Sequence, residues 1–168
     1  MPVPQIRVIQ KALVVGGGIA GMTAALAIAD HGFEVSLVEK SEHLGGNLRK
    51  LHRTIEGVSP QELLEETIAR VEKHPKIQVF KKARVIHSQG RVGRFLTTIE
   101  KEDGGSEILR HGVSVLATGA REAKAQSYEY GKSEAIVTQH ELEQKMADGA
   151  VDPKNLRAVA MIQCVGSR

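Results

Sequence analysis

Tryptophan is absent from this chain, and aromatic residues make up only 3% of it. Proteins that grip single-stranded nucleic acid stack bases on aromatic rings, so that class of function has no support here. Cysteine is nearly absent too. Cys164 stands alone, which excludes an intrachain disulfide and leaves too few thiolates to hold an iron–sulfur cluster within these residues. No apolar run reaches the length of a membrane span, about 20 residues, and Met1 to Gln10 lacks a hydrophobic stretch of the signal-peptide type. These absences point to a cytoplasmic protein with no membrane span. Blocks of one charge are missing as well. The 23 Lys and Arg and 20 Asp and Glu are interspersed, leaving a net charge of +3, the pattern of a solvated surface rather than of a nucleic-acid partner. The seven histidines show no ligand spacing, so no metal site is expected. No Ser-His-acid or Cys-His motif marks a nucleophile.

What is present is a core-forming chain of 168 residues, 41% hydrophobic, long enough to bury roughly 70% of its unfolded surface. Its organising stretch is Ala12 to Glu39. Ala12 to Val15 is a short apolar run suited to a buried parallel strand. Gly16-Gly17-Gly18-Ile19-Ala20-Gly21 follows at once and satisfies G-x-G-x-x-G. Gly16 serves the tight turn, Gly18 lets a pyrophosphate approach the backbone, and Gly21 lets the helix pack close to the strand. An apolar helix over Ile19 to His31 puts its N-terminal N–H groups and dipole at the phosphate position. After Gly32 comes a second strand ending on Glu39, whose carboxylate can accept the ribose hydroxyls of an adenosine. Strand, turn, helix, strand and acid fall in register within roughly 30 residues, the context that gives this motif its weight. The acid would repel a 2′-phosphate, which favours FAD or NAD over NADP.

Further along, Leu44-Gly45-Gly46-Asn47 forms a loop whose glycines permit close backbone contact, either with a cofactor or in a plain turn. Ser59, Pro60 and Glu62 open a helix as cap, first-turn proline and capping-box acid. Leu64, Ile68 and Val71 are its apolar stripe, and Pro75 stops it. Ile77 to Phe80 is the third parallel strand. Ala83–His87, Arg91–Lys101 and Glu107–Arg110 then read as a small antiparallel meander in place of a crossover helix, with turns at Gln89-Gly90 and Asp103-Gly104-Gly105. Val113 to Ala117 returns to the sheet. Thr118-Gly119-Ala120 closes it with small residues at the carboxyl edge, where a cofactor lies in such folds. Thr138 caps a short helix. Leu156 to Val165 reads as a final strand before Gly166-Ser167-Arg168. The expected architecture is α/β: a Rossmann-like parallel sheet of the FAD/NAD(P)-binding type with an antiparallel β-meander, and a fragment of a longer protein. The expected organisation is an extended leader over 1–11 with Pro2 and Pro4, an incomplete dinucleotide-binding domain over 12–147, and a linker and first strand of a following unit over 148–168.

G-G-G-I-A-G at Gly16 to Gly21, Glu39, the L-G-G-N turn, the meander and A-T-G at Ala117 to Gly119 resemble the FAD half of the two-dinucleotide-binding-domain flavoproteins, the relatives of glutathione and thioredoxin reductase. G-G-N-L-R-K-L-H at Gly45 to His52 and M-I-Q-C-V-G-S-R at Met161 to Arg168 resemble the iron–sulfur flavoprotein component of heterodisulfide reductase, its A-type subunit, found in anaerobes. The resemblance implies FAD as cofactor and an oxidoreductase that relays electrons to other electron-transfer subunits or iron–sulfur domains outside this stretch. It implies that Gly16, Gly18 and Gly21, with the N–H groups of Ile19 and Ala20, hold the pyrophosphate. Glu39 takes the ribose with Lys40 beside it, and Gly46 and Asn47 approach the ribityl or phosphate. Val85 offers its backbone to the adenine, and Ala117, Thr118 and Gly119 pass under the dinucleotide. Two departures matter. Asn47, Leu48 and Arg49 stand where the glutathione reductase group carries its redox cysteine pair, and the late G-D flavin motif is missing, which predicts weak FAD binding by this piece alone. No catalytic acid or base is expected. The alternative is a non-catalytic NAD or ADP-ribose module within a complex.

Overall fold

The computed structural model describes residues 7–123 and 127–165. The leader prolines Pro2 and Pro4 and the closing Gly166-Ser167-Arg168 lie outside the described residues. The chain divides into two compact units, one of residues 1–49 with 62–119 and one of residues 50–61 with 120–168.

The first unit is built on β1 (Lys11–Val15), α1 (Ile19–Asp30), β2 (Glu34–Val38), α2 (Pro60–Lys73, from its third residue), β3 (Ile77–Phe80) and β7 (Val113–Leu116). The four strands form one parallel sheet in the order β3-β2-β1-β7. Their short apolar runs suit a sheet covered on both faces. Ala12, Val14, Val35 and Leu37 face Met22, Ala25, Leu26 and Ala29 of α1 and Leu64 and Val71 of α2. Gly32, with φ +90°, ends α1 by donating to the Ala29 carbonyl at 2.9 Å, as a helix-terminating glycine does.

The opposite face carries Leu13 and Val38, packed with Phe80, Ala83, Ile99 and Leu109. Ile99 and Leu109 come from the antiparallel sheet β4 (Ala83–Arg91), β5 (Arg94–Lys101) and β6 (Ser106–His111), which fills the connection from β3 to β7. The meander expected in place of a crossover helix is therefore present. One turn differs. Arg91 pairs with Arg94, so the β4–β5 hairpin turns at Val92-Gly93 and not at Gln89-Gly90. Gly93 supplies the positive φ, +89°, while Gly90 is inside the ladder opposite Phe95. A Cβ on Gly90 would come within 2.2 Å of the Arg94 carbonyl oxygen, so its glycine serves strand packing.

His111 lies beyond the strand expected over Glu107–Arg110 yet ends β6, and it is 1% exposed. Its Nδ1–H donates to the Val113 carbonyl at 3.0 Å, which leaves Nε2 to accept from the Thr97 hydroxyl at 2.8 Å. Thr97 Oγ1 in turn lies 2.8 Å from Ser88 Oγ. The ring also stacks on Phe95, centroids 5.4 Å apart. Burial pushes the imidazole below its usual pKa, outweighing the opposite pull of the Val113 carbonyl. The unfolded chain thus binds this proton more readily, and stability present at neutral pH is lost as pH falls through about 6.5 toward the lower folded value. Acid titration of the melting temperature should show a downward step in that window for the wild type, and a flatter profile for His111→Gln.

The second unit holds α3 (Gln139–Ala147). Thr138 Oγ1 accepts from the Glu141 N–H at 3.3 Å and the Glu141 carboxylate accepts from the Thr138 N–H at 2.8 Å, a complete capping box. The His52 N–H donates to Glu143 at 2.7 Å, tying the segment 50–61 to this helix. Residues 156–165 form no strand, contrary to the expectation from their apolar run. A strand exists only against a partner, and the described residues of this unit contain none; Val159, Met161 and Ile162 are left exposed.

Candidate functional site

What surrounds each glycine of the turn between β1 and α1 sorts these glycines by purpose. A Cβ on Gly16 would lie 2.2 Å from the Ala117 carbonyl oxygen, and Gly16 has φ +110°. A Cβ on Gly21 would lie 1.8 Å from the Gly16 carbonyl oxygen. Both positions are glycine because backbone passes against backbone where β1, α1 and the end of β7 converge. Gly18 is different. A Cβ there would meet nothing within 4 Å, and its φ of −73° suits any residue. Its lack of a side chain keeps open a space that the protein itself does not fill.

That space lies at the start of α1. Gly18 is the N-cap residue and no side chain caps the helix. The first intrahelical bond runs from the Met22 N–H to the Gly18 carbonyl at 2.9 Å, so the N–H groups of Ile19, Ala20 and Gly21 have no intrahelical acceptor. The first turn contains no acidic residue to repel an anion. A cradle that a Cβ would fill, at an uncapped helix N-terminus, fits a pyrophosphate.

The loop after β2 closes beside it. The Gly45 N–H donates to the Gly17 carbonyl at 2.7 Å and Gly45 pairs with Gly18 in a single parallel bridge. Leu44, 1% exposed, anchors this loop in the core. Gly46, with φ +54°, comes so near that a Cβ on it would stand 3.2 Å from Gly18 Cα. Gly46 and Asn47 begin a 3-10 turn over Gly46–Lys50, and Asn47 is exposed there.

Glu39 follows β2 and is 7% exposed. Its Oε2 accepts from the Gly17 N–H at 2.6 Å, and its Oε1 accepts both the Ser41 N–H at 2.8 Å and the Ser41 hydroxyl at 2.7 Å. Burial alone would raise its pKa. The Ser41 hydroxyl, the Gly17 and Ser41 N–H groups and the charge of Lys40 together outweigh burial and hold the carboxyl below its ordinary value. The acid is an anion at neutral pH, fixed in one orientation against the glycine turn. The first meander strand is drawn to the same place, because the Ala83 N–H donates to the Glu39 carbonyl and the Lys82 N–H to the Ser41 carbonyl, each at 3.0 Å.

The structure therefore gathers Gly16, Gly18, Ile19, Ala20, Gly21, Glu39, Gly46 and Ala117 at the carboxyl edge of the sheet. Lys40, Thr118 and Gly119 are exposed at its margin. Val85 lies further along β4, with its side chain packed against the second core. Two participants carry no sequence signal. Ser41 reads as an ordinary loop serine, and Gly17 occupies a variable position of the motif, yet both bind the Glu39 carboxylate.

The sequence matches the family described as NAD(P)-binding Rossmann-like domain over residues 14–97. It is similar to an iron–sulfur A-type subunit of the CoB–CoM heterodisulfide reductase of Methanopyrus kandleri, with 39% identity over 103 residues. The match takes in 61% of this chain, which spans only 15% of that relative's length. Among solved structures, L-proline dehydrogenase from P. horikoshii superposes with a TM-score of 0.61 at 22% identity, covering 70% of this chain and 24% of that one. Bacillithiol disulfide reductase from Bacillus cereus does so with a TM-score of 0.55 at 20% identity, covering 73% and 45%. These two likenesses concern the fold, and the sheet, glycine turn and meander described above are its parts. By the match over residues 14–97, the chain belongs to the NAD(P)-binding Rossmann-like domain family.

Proposed function

We propose that this chain is the FAD-binding segment of a cytoplasmic flavoprotein oxidoreductase that relays electrons, akin to the iron–sulfur flavoprotein component of heterodisulfide reductase. The observation that carries the reading is the pairing of an open cradle at Gly18 with an ionised, buried Glu39 anchored on the same glycine turn. The cradle suits a pyrophosphate, and the carboxylate suits an unphosphorylated ribose while repelling a 2′-phosphate. The resemblance of the glycine turn, the L-G-G-N loop, the meander and A-T-G at Ala117 to Gly119 to the FAD half of two-dinucleotide-binding-domain flavoproteins directs the choice between dinucleotides toward FAD. When bound, FAD supplies the redox chemistry of its isoalloxazine. This chain's own residues bind and orient. The N–H groups of Ile19 and Ala20 face the phosphates, Glu39 holds the ribose, and Gly46 with Asn47 borders the next part of the cofactor. Val85 and Ala117 to Gly119 are assigned to the adenine side and the underside of the dinucleotide. Electron donors and acceptors belong to other subunits or iron–sulfur domains.

Titration of the chain with FAD, followed by flavin fluorescence and by thermal shift, tests this reading. The wild type should be stabilised by FAD, and less or not at all by NADP. Gly18→Ala should melt close to the wild type, because loss of an N-cap glycine and reduced freedom of the unfolded chain oppose each other at about 0.5–1 kcal/mol each. The same variant should bind FAD at least about tenfold more weakly, since its methyl group enters the phosphate space, a cost of about 1.4 kcal/mol. Stronger stabilisation by NAD than by FAD would replace this reading with that of an NAD or ADP-ribose module.

A further inference from the structure

We infer that the outer edge of β6 is a docking site for an extended, acidic peptide segment of a partner protein, which joins the three-stranded meander as a fourth strand. The cleft beside this edge takes in Lys11 and Glu34, which begin β1 and β2, whereas the glycine turn follows the end of β1.

β6 pairs with β5 on one side only. The Lys101 N–H donates to the Gly105 carbonyl at 2.8 Å, toward the start of β6, and the Glu102 N–H to the Lys82 carbonyl at 3.0 Å, toward the start of β4. Backbone groups alternate between the two neighbours of a strand, so Phe95, Thr97 and Ile99 are the β5 residues that bond β6. Their partners are His111, Leu109 and Glu107. Ser106, Ile108 and Arg110 therefore turn their N–H and C=O groups outward, and nothing among the described residues takes them. All three are exposed, Ile108 by 64%. A row of unpaired backbone groups of this kind is a template for another strand. The cleft along it has a volume of about 520 Å³ and follows β6 from Glu107 to Arg110, about 13 Å of strand. Charge selects the occupant. Lys11 is paired with Glu34 at 3.7 Å and Glu107 with Lys101 at 2.8 Å, while Arg110 has no carboxylate partner among the described residues. Leu109 packs in the core, so Ile108 and Arg110 stand together on the outer face. The matching peptide thus places an apolar residue and a carboxylate two positions apart. A second copy of β6 fits less well, because Glu107 is its one acid and Lys101 already holds that carboxylate.

The test titrates the isotope-labelled full chain with the end-capped peptides T-V-T-E-T and T-V-T-K-T and follows its backbone amides by NMR. The acidic peptide should shift the resonances of Ser106, Ile108 and Arg110. It should bind about fivefold more tightly than the lysine peptide, the effect of exchanging a favourable cross-strand pair for a repulsive one. Arg110→Glu, a change at an exposed position, should invert that preference. Ile108→Pro removes an N–H that makes no ladder bond, a substitution that edge strands accept, so it should melt close to the wild type. It should nevertheless weaken both peptides about fivefold, the loss of one hydrogen bond. An unchanged preference in Arg110→Glu, shifts that avoid β6, or no shift at the highest peptide concentration reached would overturn the inference. Shifts of the same amides on raising the protein concentration alone would put a second copy at the edge and overturn it as well.

Discussion

Gly21→Ala is expected to lower the melting temperature by roughly 15 °C, a loss of about 3–4 kcal/mol. The new methyl carbon would sit 1.8 Å from the Gly16 carbonyl oxygen and 3.3 Å from the Ala117 Cβ. Neither obstacle can rotate away. The Gly16 carbonyl is backbone, in a residue at φ +110° that itself passes 2.2 Å from Ala117 when given a Cβ. Relief requires α1 to move off β1, and that opens the core formed by Ala12, Val14, Met22 and Ala25. Helix propensity pulls the other way, since alanine inside a helix is favoured over glycine by about 1 kcal/mol. The sign of the change therefore isolates the contact. Thermal unfolding followed by circular dichroism gives the answer, and a Gly21→Ala chain melting at or above the wild type would show that α1 and β1 do not approach as described.

Glu39→Ala is expected to combine a binding defect with a stability defect. Binding of ADP should weaken by about 100-fold, the order expected for losing a charged hydrogen-bond acceptor and the orientation it provides. Stability should fall by about 1–3 kcal/mol, because the buried Gly17 N–H loses its acceptor. Glu39→Gln, which keeps one carbonyl oxygen, should lose less stability than the alanine variant. The two forms also differ in acid. The folded protein holds this carboxyl below its ordinary value, so in the window between the folded and unfolded values the unfolded chain binds more protons. The stabilisation is complete above about 4.5, the ordinary value, and is lost as pH falls through the lower folded one. Wild-type stability should therefore drop more steeply on acidification in that range than that of Glu39→Gln. Parallel acid profiles for the two would show that the hydrogen bonds from Gly17 and Ser41 do not favour the anion.

Much of this site is legible in the sequence because its geometry is local. Strand, glycine turn, helix, strand and acid follow one another, and each spacing carries its own physical reason. The meander is legible for the same cause: three short strands with no helical periodicity between them admit few arrangements. The misses are non-local or degenerate. Gln89-Gly90 and Val92-Gly93 are both X-Gly pairs, and only the register opposite Phe95 and Arg94 decides which one turns. The apolar run Leu156 to Val165 satisfies the pattern of a strand, but a pattern cannot supply the partner that makes a strand. His111 looks like a polar residue beside a glycine until β6 pairs with β5 and places Thr97 against its ring. Ser41 has the composition of any loop residue, and its bond to Glu39 depends on how the chain leaves β2 and is caught by Lys82.

The pairing of β1 with β7 places Ala12 beside Val113 and brings Ala117 up against Gly16. Two sides of one sheet edge are thus drawn from opposite ends of the first unit. Closing so long a loop adds little to the equilibrium cost, since each doubling of length adds only about 0.6 kcal/mol. Its weight falls on kinetics, because contacts between distant residues form slowly. The glycine turn takes its wall from Ala117, which follows β7, so a nascent chain stalled before Val113 carries the whole dinucleotide fingerprint without the edge that completes it.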